Sequence, residues 1–145
     1  MRALLDVNVL IALLDGGHEF NRLATDWLEA HLDRGWASCP LTENGCIRVM
    51  SQPRYPGALP SSEVAERLSE ATRDPSHEFW AADTSLLESG RVDWGRLSGH
   101  RQITDAYLLS LAVVHSGALV TFDRRIGREV VPAAGPEHLV IIPHH

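Results

Sequence analysis

Four carboxylates in this 145-residue chain stand where a charge needs a reason. Asp6 stops the apolar run Ala3-Leu4-Leu5, and Asp123 stops the run Ala118-Leu119-Val120-Thr121-Phe122. Glu43 follows Pro40-Leu41-Thr42, and Asp105 follows Ile103-Thr104; each reads as part of the first turn of a helix. Taken singly, each acid has an ordinary explanation. A carboxylate near a helix N-terminus gains roughly 0.3–1 kcal/mol from the helix dipole, and Asp123 beside Arg124 and Arg125 suits a turn. Gathered at one place, four like charges repel and raise one another's pKa values. A divalent cation removes that conflict. Oxygen donors with no Cys or His nearby in sequence point to a hard ion, Mg²⁺ or Mn²⁺. Such an ion acidifies a bound water and bridges phosphate oxygens, and pairs of ions about 3.5–4 Å apart serve in-line attack on phosphodiesters.

Convergence of the four acids depends on the elements that carry them. The run ending at Asp6 is too short for a helix and reads as a buried strand, and the apolar stretch after it has helical length, with Asn8 as its expected N-cap. Phe20, Leu23, Ala24, Trp27, Leu28 and Leu32 predict an amphipathic helix from His18 to about Asp33. Trp36–Cys39 predicts a short strand, and Pro40 opens a helix to about Met50. Residues 51–60 hold three of the eight prolines and predict an irregular loop. Further on, the pattern predicts a helix over Ser62–Arg73 capped by Ser61, a strand over His77–Ala82 and a short helix over Thr84–Ser89. A loop then runs from Gly90 to Gln102, pinned by Trp94 and Leu97. The helix from Ile103 to Ser116 is expected to end on a left-handed Gly117. Strands over 118–122 and 139–142 complete the series. Strands alternating with helices imply an α/β fold, a three-layer α/β/α domain over residues 1–145 with a central, mostly parallel sheet. In such a sheet all strands end on one edge, so scattered acids meet there.

Composition narrows the classes. The net charge of −6 argues against a protein that simply coats a polyphosphate. Metal-bridged phosphate binding works on an acidic protein, with arginines holding the flanking backbone. All 13 basic residues are Arg, so any mechanism that needs a lysine is excluded. No apolar run approaches a membrane span and no secretory leader pattern opens the chain, so the expectation is a cytoplasmic protein without a membrane. Cys39 and Cys46 lack metal-ligand or redox spacing and are expected as buried free thiols.

The ordered segments Leu4-Leu5-Asp6-Val7-Asn8-Val9-Leu10, Pro40-Leu41-Thr42-Glu43-Asn44-Gly45 with Arg48, Ile103-Thr104-Asp105-Ala106-Tyr107-Leu108 and Leu119-Val120-Thr121-Phe122-Asp123 resemble the PIN-domain ribonucleases, and within them the VapC-type toxins of toxin–antitoxin pairs. Each motif alone is weak; the ordered set is specific, and it spans the chain. The resemblance implies that Asp6, Glu43, Asp105 and Asp123 are the catalytic, metal-binding acids, with Asn8 and Thr121 steadying them through hydrogen bonds. It implies Mg²⁺- or Mn²⁺-dependent cleavage of a structured RNA such as tRNA or rRNA, a homodimer, and a cognate antitoxin that pushes a basic side chain into the acidic site. Arg48, Arg54, His100 and Arg101 are candidates for substrate contacts. His144 and His145 are left out of metal-site reasoning because a tag remnant has the same composition.

Rival chemistries fail on particular residues. A haloacid-dehalogenase phosphatase needs an Asp at position 8 and a later Lys, and a phosphate-accepting receiver domain needs the same Lys. A P-loop NTPase needs a Gly-rich loop with Lys, and a dinucleotide-binding domain needs G-x-G-x-x-G after the first strand. The remaining alternatives are another metal-dependent phosphodiesterase or phosphatase and a non-catalytic protein of the PIN fold that binds RNA or protein. A pure binder gains nothing from clustering four acids. The apolar face of Phe20, Leu23 and Trp27 suits either a partner surface or the protein's own core.

Overall fold

In the computed structural model, which describes residues 1–145, the short apolar runs become strands. They are β1 (Ala3–Leu5), β2 (Trp36–Ser38), β3 (His77–Phe79), β4 (Ala118–Thr121) and β5 (Leu139–Ile141). Every pairing is parallel and the strand order is β3-β2-β1-β4-β5. The helices are α1 (Val7–Leu14), α2 (Asn21–His31), α3 (Pro40–Met50), α4 (Ser61–Thr72) and α5 (Ile103–Val114). Period-two alternation divides the core. Ala3, Leu5, Trp36 and Val120 face a cluster built with α1 to α4, which includes Ala24, Cys46 and Leu68. Leu4, Ala37 and Leu119 face the opposite cluster with α5 and the turns carrying Ile126, Val130 and Val131. The expected α/β/α layering is therefore present, with both sheet faces covered. Cys39 and Cys46 are free and buried, as expected. Phe20, Leu23 and Trp27 pack, partly buried, on the first cluster.

Several local expectations are corrected by side chains that compete with the backbone pattern. The N-cap of α1 is Asp6, not Asn8: Asp6 is extended (φ −62°, ψ 160°) and its carboxylate accepts from the Val7 N–H. The second helix starts at Asn21 rather than His18, because His18 Nδ1 accepts the Phe20 N–H at 2.9 Å. Pro60, not Ser61, precedes the first residue of α4. Thr84–Ser89 forms turns instead of a helix, with Ser85 Oγ accepting the Leu87 N–H at 3.1 Å. Trp94 does not pin its loop; it is 51% exposed on a 3-10 turn, whereas Leu97 does pack on the core. The third strand stops at Phe79, and Trp80 turns inward to stack on His115 (ring centroids 4.5 Å apart).

Gly117 is required for a different reason from the one expected. The left-handed residue after α5 is Ser116 (φ 55°). A Cβ on Gly117 meets Trp80 Cη2 at 2.5 Å and the Arg2 carbonyl oxygen at 2.6 Å, so the glycine lets β1 and the buried indole close on the entry to β4. Gly117→Ala forces backbone apart and is expected to destabilise the fold by about 1–3 kcal/mol. Chemical denaturation measures this directly, and an unchanged midpoint contradicts the packing argument.

Candidate active site

The strand order changes direction at β1, whose neighbours are β2 on one side and β4 on the other. Open α/β sheets place ligands in the crevice beyond the carboxyl ends of the strands at such a point. Asp6 leaves β1 there, and Asp123 follows β4 by two residues. Asp6 is only 7% exposed. Its Oδ1 accepts the Val7 N–H at 2.8 Å, and its Oδ2 accepts the Thr121 hydroxyl at 2.8 Å. Thr121 has one proton and commits it to the carboxylate, while its oxygen accepts from Asn8 Nδ2 (3.2 Å) and the Asp123 N–H (3.0 Å). Asn8 Oδ1 accepts the Phe122 N–H at 3.2 Å. Freed from capping α1, Asn8 thus ties the first helix to the last acidic loop, and Thr121 joins Asp6 to β4.

Burial raises the pKa of Asp6; the hydrogen bonds from Thr121 and Val7 oppose it, and the charge of Asp123 adds to it. Asp105, in the first turn of α5, is pushed up to about 6, first by burial and then by Asp6 and Asp123, with Arg125 pulling the other way. Asp123 behaves oppositely. Burial alone raises it, but the side chain, backbone N–H and charge of Arg125 outweigh that and hold it low. The Arg125 side chain stands 3.1 Å from Asp123 and is 84% exposed. No ion pair reaches Asp6, Glu43 or Asp105. Asp6 therefore has no arginine partner.

Glu43 stands apart from this trio. It lies in the first turn of α3, and its Oε2 accepts the Ser38 hydroxyl at 2.6 Å. It lines a separate cleft of about 200 Å³ between α3 and α4. It is not among the charges that raise Asp6 or Asp105. Nor do three Asp, Glu, His or Cys side chains already stand at ligand spacing. The trio still fits a hard divalent ion: its donors are carboxylate oxygens, acidic neighbours raise Asp6 and Asp105, and neither of those two has an ion-pair partner. An ion of that kind keeps several waters and needs few direct protein contacts.

Beside Asp105 and Asp123 opens a polar cleft of about 410 Å³ lined by Ser98, Gly99, His100, Arg101, Gln102 and Arg125. Of the substrate candidates, His100 and Arg101 belong to this wall, on the 3-10 turn that leads into α5. Arg48 and Arg54 are exposed on α3 and the loop after it, outside the cleft. Sequence reasoning missed Arg125, whose signal was its place two residues after Asp123. It also missed Ser38 and His77, which carry no motif. His77 Nε2 lies 2.8 Å from Ser38 Oγ. Burial lowers the His77 pKa, against the Glu43 charge and a backbone hydrogen bond at Thr72.

Comparisons with known proteins follow the same lines. The PIN domain family model matches residues 3–129. The chain is 49% identical over 142 residues to Ribonuclease VapC44 of Mycobacterium tuberculosis, covering 98% of this chain and 100% of that one. It is 40% identical over 122 residues to Ribonuclease VapC38 of the same organism, covering 83% and 84%. Among solved structures, the crystal structure of VapBC2 from Rickettsia felis bound to a DNA fragment from their promoter aligns with 97% of each chain at a TM-score of 0.62 and 14% identity, a likeness of fold.

The shifted acids give a pH signature in metal-free buffer. Between pH about 4, the ordinary carboxylate value, and about 6, folded Asp105 binds more protons than the unfolded chain does. Stability therefore falls as pH rises through this window and stays lower above it. Asp105→Asn is expected to stabilise the metal-free protein by about 1–2 kcal/mol near neutral pH, after discounting for partial exposure, and to leave it unchanged near pH about 4. Urea titrations at the two pH values measure the difference; equal stabilities at neutral pH contradict the assignment.

Proposed function

The chain belongs to the PIN-domain family, and from that premise we propose that it is a metal-dependent endoribonuclease, the toxin of a toxin–antitoxin pair. The observation that carries the reading is the acidic edge, where neither Asp6 nor Asp105 has an ion-pair partner and Asp105 and Asp123 line a polar cleft. Its relatives named ribonuclease support the reaction class. Asp6, Asp105 and Asp123 would hold Mg²⁺ or Mn²⁺, with Thr121 and Asn8 orienting the Asp6 carboxylate; Glu43 would have to leave its bond to Ser38 to join them. When bound, a divalent ion supplies charge neutralisation at the phosphate and acidity to the attacking water.

The remaining work belongs to side chains. Arg101 and Arg125 present guanidinium groups on the cleft wall, suited to the phosphates flanking the cut. His100 adds a further donor there. The acids repel RNA until the ion is present, so one site gates both binding and chemistry. The substrate is a structured cellular RNA such as tRNA or rRNA. The partners are a cognate antitoxin with a basic side chain for the acidic edge and a second copy of the chain. The two free buried thiols suit the reducing cytoplasm as the place of action.

RNA cleavage by the purified protein is expected to stop in EDTA and return with Mg²⁺ or Mn²⁺; cleavage that persists in chelator rules out the metal-dependent reading. Asp6→Asn and Asp105→Asn are each expected to abolish cleavage and growth inhibition on induction while circular dichroism stays that of the parent. Parental rates in either variant show that these acids do not form the site.

A further inference from the structure

We propose that a groove next to the polar cleft is a nucleobase subsite, where one unstacked base of the RNA packs on Phe20 and His144 while Arg124 holds the adjoining phosphate; this rests on reading the chain as a ribonuclease. The groove, of about 370 Å³, is lined by Phe20, Phe122, His144 and Arg124 together with Asp123 and Arg125. Asp123 and Arg125 also line the polar cleft. The last acid and its arginine are therefore common to two recesses, and a strand laid across the acidic edge reaches both.

Three rings from distant parts of the chain build the floor. Phe20 stands just before α2, Phe122 just after β4 and His144 just past β5. The Phe20 centroid lies 4.8 Å from that of Phe122 and 4.8 Å from that of His144, with planes at 31° and 55°. Phe122 and His144 meet edge to face at 5.5 Å. A carbonyl oxygen only accepts, so the 2.6 Å contact of His144 Nε2 with the Phe122 oxygen places a ring proton on Nε2 and fixes how the imidazole stands. Asn8 Oδ1 accepts the Phe122 N–H at 3.2 Å. Phe122 is thus pinned through both backbone polar groups, with its ring buried, and it supports Phe20 and His144, which stay half-buried.

Aromatic rings beside a cation that tracks the backbone are the means by which proteins hold single-stranded nucleic acid, since every base has a face to stack. Arg124 is exposed and makes no ion pair, which leaves its guanidinium open to a phosphate. A chain of net charge −6 gains little from bulk electrostatics with RNA. Stacking is indifferent to net charge and supplies affinity where charge does not. A base inside a duplex is already stacked and paired, so the groove favours nucleotides that can be splayed out.

The test is fluorescence anisotropy in Mg²⁺ with a labelled oligoadenylate RNA and with a base-free ribose–phosphate strand of the same length. The intact chain carries Asp105→Asn so that the RNA is not cut. In this background Phe20→Leu keeps apolar packing on the first core cluster but removes the aromatic face. It is expected to weaken oligoadenylate binding about 5–100-fold, as loss of one stacked base does, and to leave the base-free strand unaffected. Phe20→Tyr keeps the face and is expected to bind like the parent. Arg124→Ala is expected to weaken both strands alike and to reduce the salt slope by about 0.7, the share of one phosphate on a single strand. Parental oligoadenylate binding in folded Phe20→Leu overturns the subsite and leaves the rings to a protein partner; equal losses on both strands overturn it too, because packing and not stacking was then lost. If the chain with Asp105 intact neither binds nor cuts RNA in Mg²⁺, the nuclease reading fails and the subsite falls with it.

Discussion

A carboxylate closed into the end of an apolar strand, with no countercharge in reach, is the constraint on which the rest of this molecule depends. Asp6 is nearly inaccessible, and its stabilisation comes from two neutral hydrogen-bond donors, Val7 N–H and Thr121 Oγ1. Neutral donors moderate the cost of burial without cancelling the charge. The field of Asp6 therefore reaches Asp105, and that of Asp123 reaches both. Only one acid of the trio has a local cation, and that cation, Arg125, is on the surface. The fold accepts an electrostatic penalty at the edge where its parallel strands end.

The scaffold serves this edge by geometry more than by strength. A fully parallel sheet brings every strand end to the same side, and coverage of both faces leaves the edge as the place where polar groups stay accessible. Thr121 and Asn8 then act as a pin between β4 and α1, so the acidic loop cannot drift from Asp6 without breaking hydrogen bonds. Gly117 admits the close contact of β4 with the indole of Trp80 and the backbone of Arg2, which sets the height at which that pin is met.

The architecture and most of the acidic set were legible in the sequence, because short apolar runs and first-turn acids are local signals. The α/β/α layering follows from alternation of strand and helix patterns. The errors fall where a single side chain redirects the backbone: Asp6 displaces Asn8 as the cap, His18 delays α2, and Ser85 keeps its segment in turns. Such competitions are settled by hydrogen bonds that hydrophobic periodicity does not register. In the site, Asp6, Asp105 and Asp123 converge, whereas the separate anchoring of Glu43 on Ser38 was not legible. That contact joins residues on β2 and α3 to an edge-strand histidine 39 positions away from Ser38, with no motif to announce it.

The bond between Thr121 and Asp6 links residues 115 positions apart. β1 pairs with β4 only after almost the whole chain has been made. Contacts of such separation form late, since loop closure must precede them. On a ribosome, the first acid emerges long before the last, and the crevice between them does not exist while the chain is being built. The acidic edge is thus a property of the closed sheet and of no shorter stretch of the chain.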